Sequence, residues 1–311
     1  MKDNNLPFDH IQWLEKFQAA YLNKDVSAYK KALCEIFEGT LKYVQSNGYK
    51  IGAKYITIDS NDIFSEYYTK PEKLLKTVVY KTNFSVINAD CLETAEILLN
   101  SGFNPCVLNL ANEQNPGGGV SEGYGAQEEN LFRRTNLFMS LYQFAHYAED
   151  YGIQKNENSY PLNRDNGGIY SNNITVFRGS EKNGYCLLNN TFRTSIATVA
   201  AICRPELEKI NDLYYITKEF IEPTKEKIRT ILRIAGKHKH DCLILGAFGC
   251  GAFANPPNHM AKLFKEVFLE SEFLGTFKYI VFSIYEDGNS RKEHNPNGNV
   301  LPFFEVFNDI I

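Results

Sequence analysis

Apolar residues recur at three- and four-residue steps near the start of the chain: Ile11, Leu14, Phe17 and Tyr21, then Tyr29, Leu33, Ile36, Leu41 and Val44. That is the period of an amphipathic helix, so residues 8 to 47 are predicted helical. Asn47-Gly48 stops the run. After it, short apolar runs alternate with helical patterns. The predicted strands are Thr77-Val78-Val79-Tyr80, 84–87, 106–110, 174–177, 196–199, 242–245 and 279–284. The predicted helices are 91–101, 126–145, 222–236 and 257–270. Strands that are apolar at successive positions are buried on both faces, and the intervening helices supply the cover. The expected fold class is α/β, a three-layer α/β/α sandwich on a largely parallel or mixed sheet. Neither a proline-rich linker nor a charge run follows the helical start. It is therefore read as an N-terminal helical extension over 1–50 packed on a main domain over 51–311. The polar, Asn- and Gly-rich stretch 148–172 is expected to be a long surface loop.

Composition narrows the partners. The 311 residues are 43% apolar and 23% charged, enough for a sizeable core, which excludes a disordered or fibrous chain. The net charge of -4 provides no surplus of cations for a nucleic-acid backbone, so no direct nucleic-acid partner is expected. An anionic ligand held by backbone amides is compatible with that charge. No apolar run approaches the ~20 residues of a membrane span, and the first residues lack a signal-peptide core. The seven cysteines are scattered with no C-x-x-C pair, as expected of reduced thiols in a cytoplasmic compartment. Export to a host cell is left open.

Two glycine-rich turns leave predicted strands. The first is Asn115-Pro116-Gly117-Gly118-Gly119 after the strand at 106–110. Glycine reaches positive φ and lets backbone approach a ligand, and successive amides form an anion nest; a flexible loop is the bland alternative. The second is Gly246-Ala247-Phe248-Gly249-Cys250-Gly251-Ala252-Phe253, which leads into a helix opened by Pro257. The free amides and partial positive charge of that helix end favour phosphate. Two such turns suggest a diphosphate gripped from both sides. No Gly-Lys-Ser/Thr follows either turn, so neither is a P-loop, and a dinucleotide oxidoreductase is disfavoured.

Gln127-Glu128-Glu129 begins the helix that the triple-glycine turn feeds. Two acidic residues in a first helical turn complement the dipole, and alone they would mean no more than that. Their position puts a carboxylate close to whatever the turn holds. Adjacent helical residues point ~100° apart, so one Glu would face a reacting centre and the other a neighbouring hydroxyl.

Gly117-Gly118-Gly119, a seven-residue spacer and Gln127-Glu128-Glu129 resemble the signature of the poly(ADP-ribose) glycohydrolases. The surroundings resemble the microbial branch of that family, a relative of the macrodomains. These are Val107-Leu108-Asn109, Arg133-Arg134-Thr135, Gly168-Ile169-Tyr170-Ser171, Val176-Phe177-Arg178 and the Gly246–Phe253 turn. The chain departs from the family at Ala200-Ala201-Ile202-Cys203-Arg204-Pro205 and at Ser171-Asn172. The resemblance implies a macrodomain-like sandwich that hydrolyses ribose O-glycosidic bonds of ADP-ribose polymers or ADP-ribosylated proteins and releases ADP-ribose. It implies Glu129 as catalytic acid and Glu128 as the residue that orients the ribose. It places Gly117, Gly118, Gly119, Gly249, Cys250 and Gly251 on the diphosphate, and Ala252 and Phe253 against the terminal ribose. Asn115 contacts a ribose, Gln127 counts among the substrate-binding residues, and Asp90 takes the adenine amino group. Asp90 has an alternative reading as the N-cap of the helix at 91–101.

In the chemistry implied, the bond breaks through an oxocarbenium-like state, Glu129 protonates the leaving oxygen, and water attacks the anomeric carbon. The scheme needs neither cofactor nor metal. Two other readings stay open: a hydrolase of mono-ADP-ribosylated protein, and a non-catalytic ADP-ribose-binding macrodomain. The acid pair discriminates against the second, since a reader needs amides but no acid. His238-Lys239-His240 lacks further ligands at metal spacing and is expected to be a solvated loop. The Cys250 thiol has no placed His partner, so packing under its loop is the expectation, and His294 shows no special context.

Overall fold

The computed structural model describes residues 8–75, 79–286, 288 and 290–308. In chain order it contains α1 (His10–Leu22), α2 (Val26–Gln45), the hairpin of β1 (Gly48–Ile51) and β2 (Lys54–Thr57), β3 (Phe64–Tyr68) and β4 (Asn83–Ile87). Next come α3 (Cys91–Asn100), β5 (Pro105–Leu110), α4 (Gln127–Arg134), α5 (Leu137–Leu141), β6 (Gly168–Arg178) and β7 (Leu187–Val199). The hairpin of β8 (Leu207–Ile210) and β9 (Leu213–Ile216) follows, then α6 (Lys218–Lys237), β10 (Cys242–Leu245), α7 (Pro257–Phe268), β11 (Tyr279–Ser283) and α8 (Val300–Phe307).

Seven strands form one mixed sheet in the order β3-β6-β7-β5-β10-β11-β4. From β7 to β4 every neighbour is parallel, as in the pairs Val107↔Ile196, Ile244↔Val107 and Ile280↔Phe84. The expected α/β class with a largely parallel, mixed sheet is therefore observed. Of the strand expected at 77–80, Thr77 and Val78 lie outside the described residues, and Val79 and Tyr80 are irregular.

The chain divides into two compact units. Unit 1 takes the residues up to Phe64, Asn115–Glu157 and Ser171–Thr194; unit 2 takes Ser65–Gln114, Asn158–Tyr170 and the chain from Ser195 onward. In unit 2 the parallel strands β4, β5, β10 and β11 release their loops at one sheet edge, the edge where open α/β sheets bind ligands. The core below is aromatic. Phe282 lies 4.9 Å from Phe303 and 4.7 Å from Phe307, ring centre to ring centre, and Phe264 and Phe268 add the buried face of α7. Fully burying one such ring contributes roughly 1.5–3 kcal/mol. That burial holds the short helix α8, whose first amides, Asn299 N and Val300 N, both donate to Glu286 Oε1 at 2.6 Å.

In unit 1 the single helix expected over 8–47 is two helices. Lys24 adopts positive φ (55°) between them, and Asp25 caps α2 by accepting from Ala28 N at 3.0 Å. Trp13, Phe17, Leu33, Ile36 and Tyr185 pack together, and Trp13 Nε1 donates to Ala32 O at 3.0 Å. The helix expected over 126–145 is also interrupted. Thr135 is extended and bridges Val176, and the buried Asn136 side chain accepts from Thr175 N at 2.7 Å. Buried Thr and Asn compete with helical hydrogen bonding in this way.

The His238-Lys239-His240 segment differs from the solvated loop expected. His240 is buried, with Nε2 2.9 Å from the Tyr170 hydroxyl and Nδ1 3.0 Å from Asn104 O. His238 stacks on Tyr170 with ring centres 3.5 Å apart and faces Tyr68 and Glu66. Burial pushes the His238 pKa down to about 4, against the opposing pull of Glu66, with His240 and Lys237 adding to the depression. An unfolded chain therefore binds more protons than the native one between pH 6.5 and 4. This contribution to stability is complete above pH 6.5 and is lost as pH falls toward 4. Chemical denaturation across that window should show a shallower decline for His238→Gln than for the wild type; equal slopes would remove His238 as the cause.

Candidate active site

The triple-glycine turn lies in unit 1 with α4. Gly118 N donates to Asn115 O at 3.2 Å, closing a four-residue turn with Pro116 second and Gly117 third. Gly117 has φ 81°, so the turn is type II, and Pro–Gly is the pair that this type favours. Gly117 N donates to Glu128 Oε1 at 3.1 Å and Gly119 N to Glu129 Oε1 at 3.0 Å. Glu129 Oε2 accepts from Ala126 N at 3.1 Å, the reach-back of a helix-capping carboxylate. Glu128 and Glu129 are 3% and 7% exposed, so backbone donors rather than water hold most of their charge.

The amides of Gly117, Gly118 and Gly119, expected on the diphosphate, bond within unit 1 to Glu128, Asn115 O and Glu129 in turn. The glycines are still required. A Cβ on Gly118 would stand 2.5 Å from Glu129 Oε1 and 3.3 Å from Glu128 Oε2, and one on Gly117 would meet the Phe132 ring at 2.7 Å. The opposite face of α4 is fixed by buried arginines. Arg133 Nε donates to Leu33 O at 3.2 Å and its Nη2 to Tyr124 O, while Thr40 Oγ1 donates to Arg133 O at 2.5 Å. The N-terminal helices thereby fasten the helix that carries the acid pair. Asn115 is exposed and Gln127 half-buried beside that pair in sequence.

The second turn lies in unit 2, where β10 ends. Gly249 has φ 75°, and a Cβ there would lie 2.5 Å from Asn255 Nδ2 and 2.8 Å from Ala201 Cβ. Asn255, fully buried, donates from its side-chain amide to Ile202 O (2.8 Å), Gly249 O (3.1 Å) and Phe253 O (3.2 Å). With these carbonyls drawn inward, the N–H groups of Gly249, Gly251, Ala252 and Phe253 have no acceptor among the described residues. A run of such donors is an anion nest.

The Cys250 thiol packs under its loop, as expected. It is fully buried, and burial pushes its pKa well up. The Cys250 N–H donates to Ala247 O at 3.0 Å, and the carbonyl of the same residue faces His294 Nε2 at 2.8 Å and accepts from Asn295 Nδ2 at 3.4 Å. Sequence reading missed His294 and Asn255 as supports of this turn; only the position of Asn255 just before Pro256-Pro257 hinted at a fixed loop.

Asp90 caps α3 as its alternative reading held. Its Oδ1 accepts from Leu92 N at 3.0 Å and Glu93 N at 2.9 Å. The loop before it is tied to β11 through Ser283 Oγ, which donates to Ala89 O at 3.0 Å. No group of three or more metal-ligating side chains occurs among the described residues. No helix among them is long and apolar enough to cross a membrane.

The mixed seven-stranded sheet with its covering helices defines the class as a macrodomain-like α/β fold. Residues 32–179 match the family model described as microbial-type PARG, catalytic domain. No curated protein matches the chain. Among solved structures, poly(ADP-ribose) glycohydrolase from Thermomonospora curvata is similar at 25% identity and a TM-score of 0.69, over 89% of this chain and 100% of that one. The same enzyme with the inhibitor ADP-HPD bound gives 24% and 0.69 over the same shares. The Deinococcus radiodurans enzyme in complex with ADP-ribose is 26% identical with a TM-score of 0.56, over 75% of this chain and 86% of that one.

Proposed function

We propose that this protein is a poly(ADP-ribose) glycohydrolase-type enzyme that cleaves ribose O-glycosidic bonds and releases ADP-ribose. The observation that carries the reading is the buried Glu128–Glu129 pair, with Glu129 held at both oxygens by backbone N–H groups. A reader of ADP-ribose has no use for two buried carboxylates on a purpose-built turn. The likeness to enzyme structures with ADP-ribose and ADP-HPD bound supports the same substrate class.

In this mechanism Glu129 donates a proton to the leaving ribose oxygen, using a lone-pair position beyond those engaged by Gly119 and Ala126. The C–O bond breaks toward an oxocarbenium ion, and water, deprotonated by the resulting carboxylate or a phosphate oxygen, adds to the anomeric carbon. Glu128 accepts a hydrogen bond from a ribose hydroxyl and orients the ring. The amides of Gly249, Gly251, Ala252 and Phe253 bind diphosphate oxygens, with the Phe253 side chain against the terminal ribose. Asp90 takes the adenine amino group, Asn115 contacts the ribose, and Gln127 counts among the substrate-binding residues. The compartment proposed is reducing and cytoplasmic, in keeping with seven free thiols.

The test is incubation with poly(ADP-ribose) and, separately, with mono-ADP-ribosylated protein, scoring free ADP-ribose. Release from polymer supports the reading; release from the mono-modified protein alone would shift it to the mono-ADP-ribosyl hydrolase; binding without release would leave a reader. Asn255→Ala removes three side-chain hydrogen bonds and loosens the nest, although Gly249 O and Phe253 O keep their backbone donors Asn255 N and Arg204 N. Losing about 1–3 kcal/mol of buried hydrogen bonding should weaken ADP-ribose affinity roughly tenfold, measured by calorimetry. Unchanged affinity would take the diphosphate away from this turn.

A further inference from the structure

The peptide group joining Pro116 to Gly117 is held at both ends. Its N–H donates to Glu128 Oε1 at 3.1 Å. Its C=O accepts from the Tyr147 hydroxyl at 3.3 Å. This is the central peptide of the type II turn closed by Gly118 N and Asn115 O. Type I and type II turns differ by a rotation of about 180° of that one peptide, and Pro at the second position fits both. After such a flip the Gly117 N–H would leave Glu128 and the Pro116 carbonyl would leave Tyr147.

Resting on the hydrolase reading above, we propose that Tyr147 is a positioning residue for Glu128, acting through this peptide. Its hydroxyl polarises the carbonyl, which strengthens the N–H donor at the other end toward the carboxylate. The ring itself is held in place. Tyr147 meets Tyr142 edge-on at 5.2 Å between ring centres and lies 5.9 Å from Tyr151. Tyr142, 2% exposed, packs in turn on Phe132 at 5.6 Å, the ring that lies under Gly117. Burial pushes the phenol pKa of Tyr147 up, with Tyr151 and Glu128 adding to it, so it remains a donor across the working pH range. Helix α4 fixes where Glu128 starts; the clamped peptide fixes where its carboxylate ends.

The experiment compares Tyr147→Phe with Tyr151→Phe. Each keeps its ring and loses one hydroxyl, but the Tyr151 hydroxyl has no bond to the turn among the described residues. For Tyr147→Phe, kcat on poly(ADP-ribose) should fall about five- to tenfold, the scale of one hydrogen bond. KM, ADP-ribose affinity and Tm should stay near wild type, and hydrogen exchange at the Gly117 amide, read on glycine-labelled protein, should accelerate. Tyr151→Phe should leave kcat and Gly117 exchange unchanged. Wild-type kcat and Gly117 exchange in Tyr147→Phe would overturn the proposal. So would equal losses of Tm and kcat in both variants, which would mark the cluster as merely structural. A wild-type protein that releases no ADP-ribose would overturn the hydrolase reading, while Gly117 exchange would still decide the clamp.

Discussion

Glu129→Gln should lower the rate of ADP-ribose release by at least ~10²-fold, the lower end of what a positioned general acid contributes. The amide keeps the side chain's length but has no carboxylic proton to give. It also disturbs the clamp. Gly119 N–H and Ala126 N–H now meet two acceptor oxygens, at 3.0 and 3.1 Å. Gln offers one oxygen and one NH2, so one backbone donor faces another donor. That mismatch should destabilise the fold by about 1–3 kcal/mol, visible as a lower Tm. The four amides of the unit 2 turn are untouched, so ADP-ribose affinity should change little. A rate loss matched by an equal affinity loss would mean that Glu129 acts in binding and that the acid lies elsewhere.

Gly118→Val should be comparably damaging, for a different physical reason. Its φ of 54° is left-handed, which a β-branched residue adopts only under strain. Its Cβ would fall 2.5 Å from Glu129 Oε1 and 3.3 Å from Glu128 Oε2, displacing both carboxylates at once. Turnover should drop by ~10² or more, with ADP-ribose still bound. A phosphate-cradling turn would give the opposite split, with binding lost first. Calorimetry on Gly118→Val therefore separates the two roles: affinity near wild type fits a carboxylate-holding turn, and abolished binding returns the triple glycine to the diphosphate.

Much of unit 2 is legible in the sequence because its strands are apolar at successive positions. Cys242–Leu245 is buried throughout, and Pro105–Leu110 almost so, and both were placed to within a residue. The edge strand β3 and the two hairpins were not foreseen, whereas the other edge strand, β4, was. Gly48–Thr57 and Leu207–Ile216 alternate short exposed and buried positions around polar residues, with no run long enough to set a period. Helix α8 escaped notice because its start is set by Glu286, thirteen residues before Asn299. The interruption at Thr135 depends on Val176 and Thr175, about forty positions away.

At the site, the two glycine turns and the acid pair were readable because glycine marks unusual backbone and two adjacent buried acids are costly without donors. Which turn serves which ligand was not readable. Both have the same composition logic, and the difference lies in who takes the amides: Glu128, Glu129 and Asn115 O in the first, no described residue at four positions in the second. Asn255, His294 and Tyr147 act through carbonyls of residues far from them or irregularly spaced, and side chain–backbone bonds of that kind leave no sequence period.

The most direct test of the central claim is product analysis after single-turnover incubation of poly(ADP-ribose) with excess wild-type protein and with excess Glu129→Gln. The expected result is free ADP-ribose from the wild type, and release at least ~10²-fold slower from Glu129→Gln while both bind ADP-ribose. Wild-type binding with no ADP-ribose released, or equal release by the two proteins, would contradict hydrolysis by this acid.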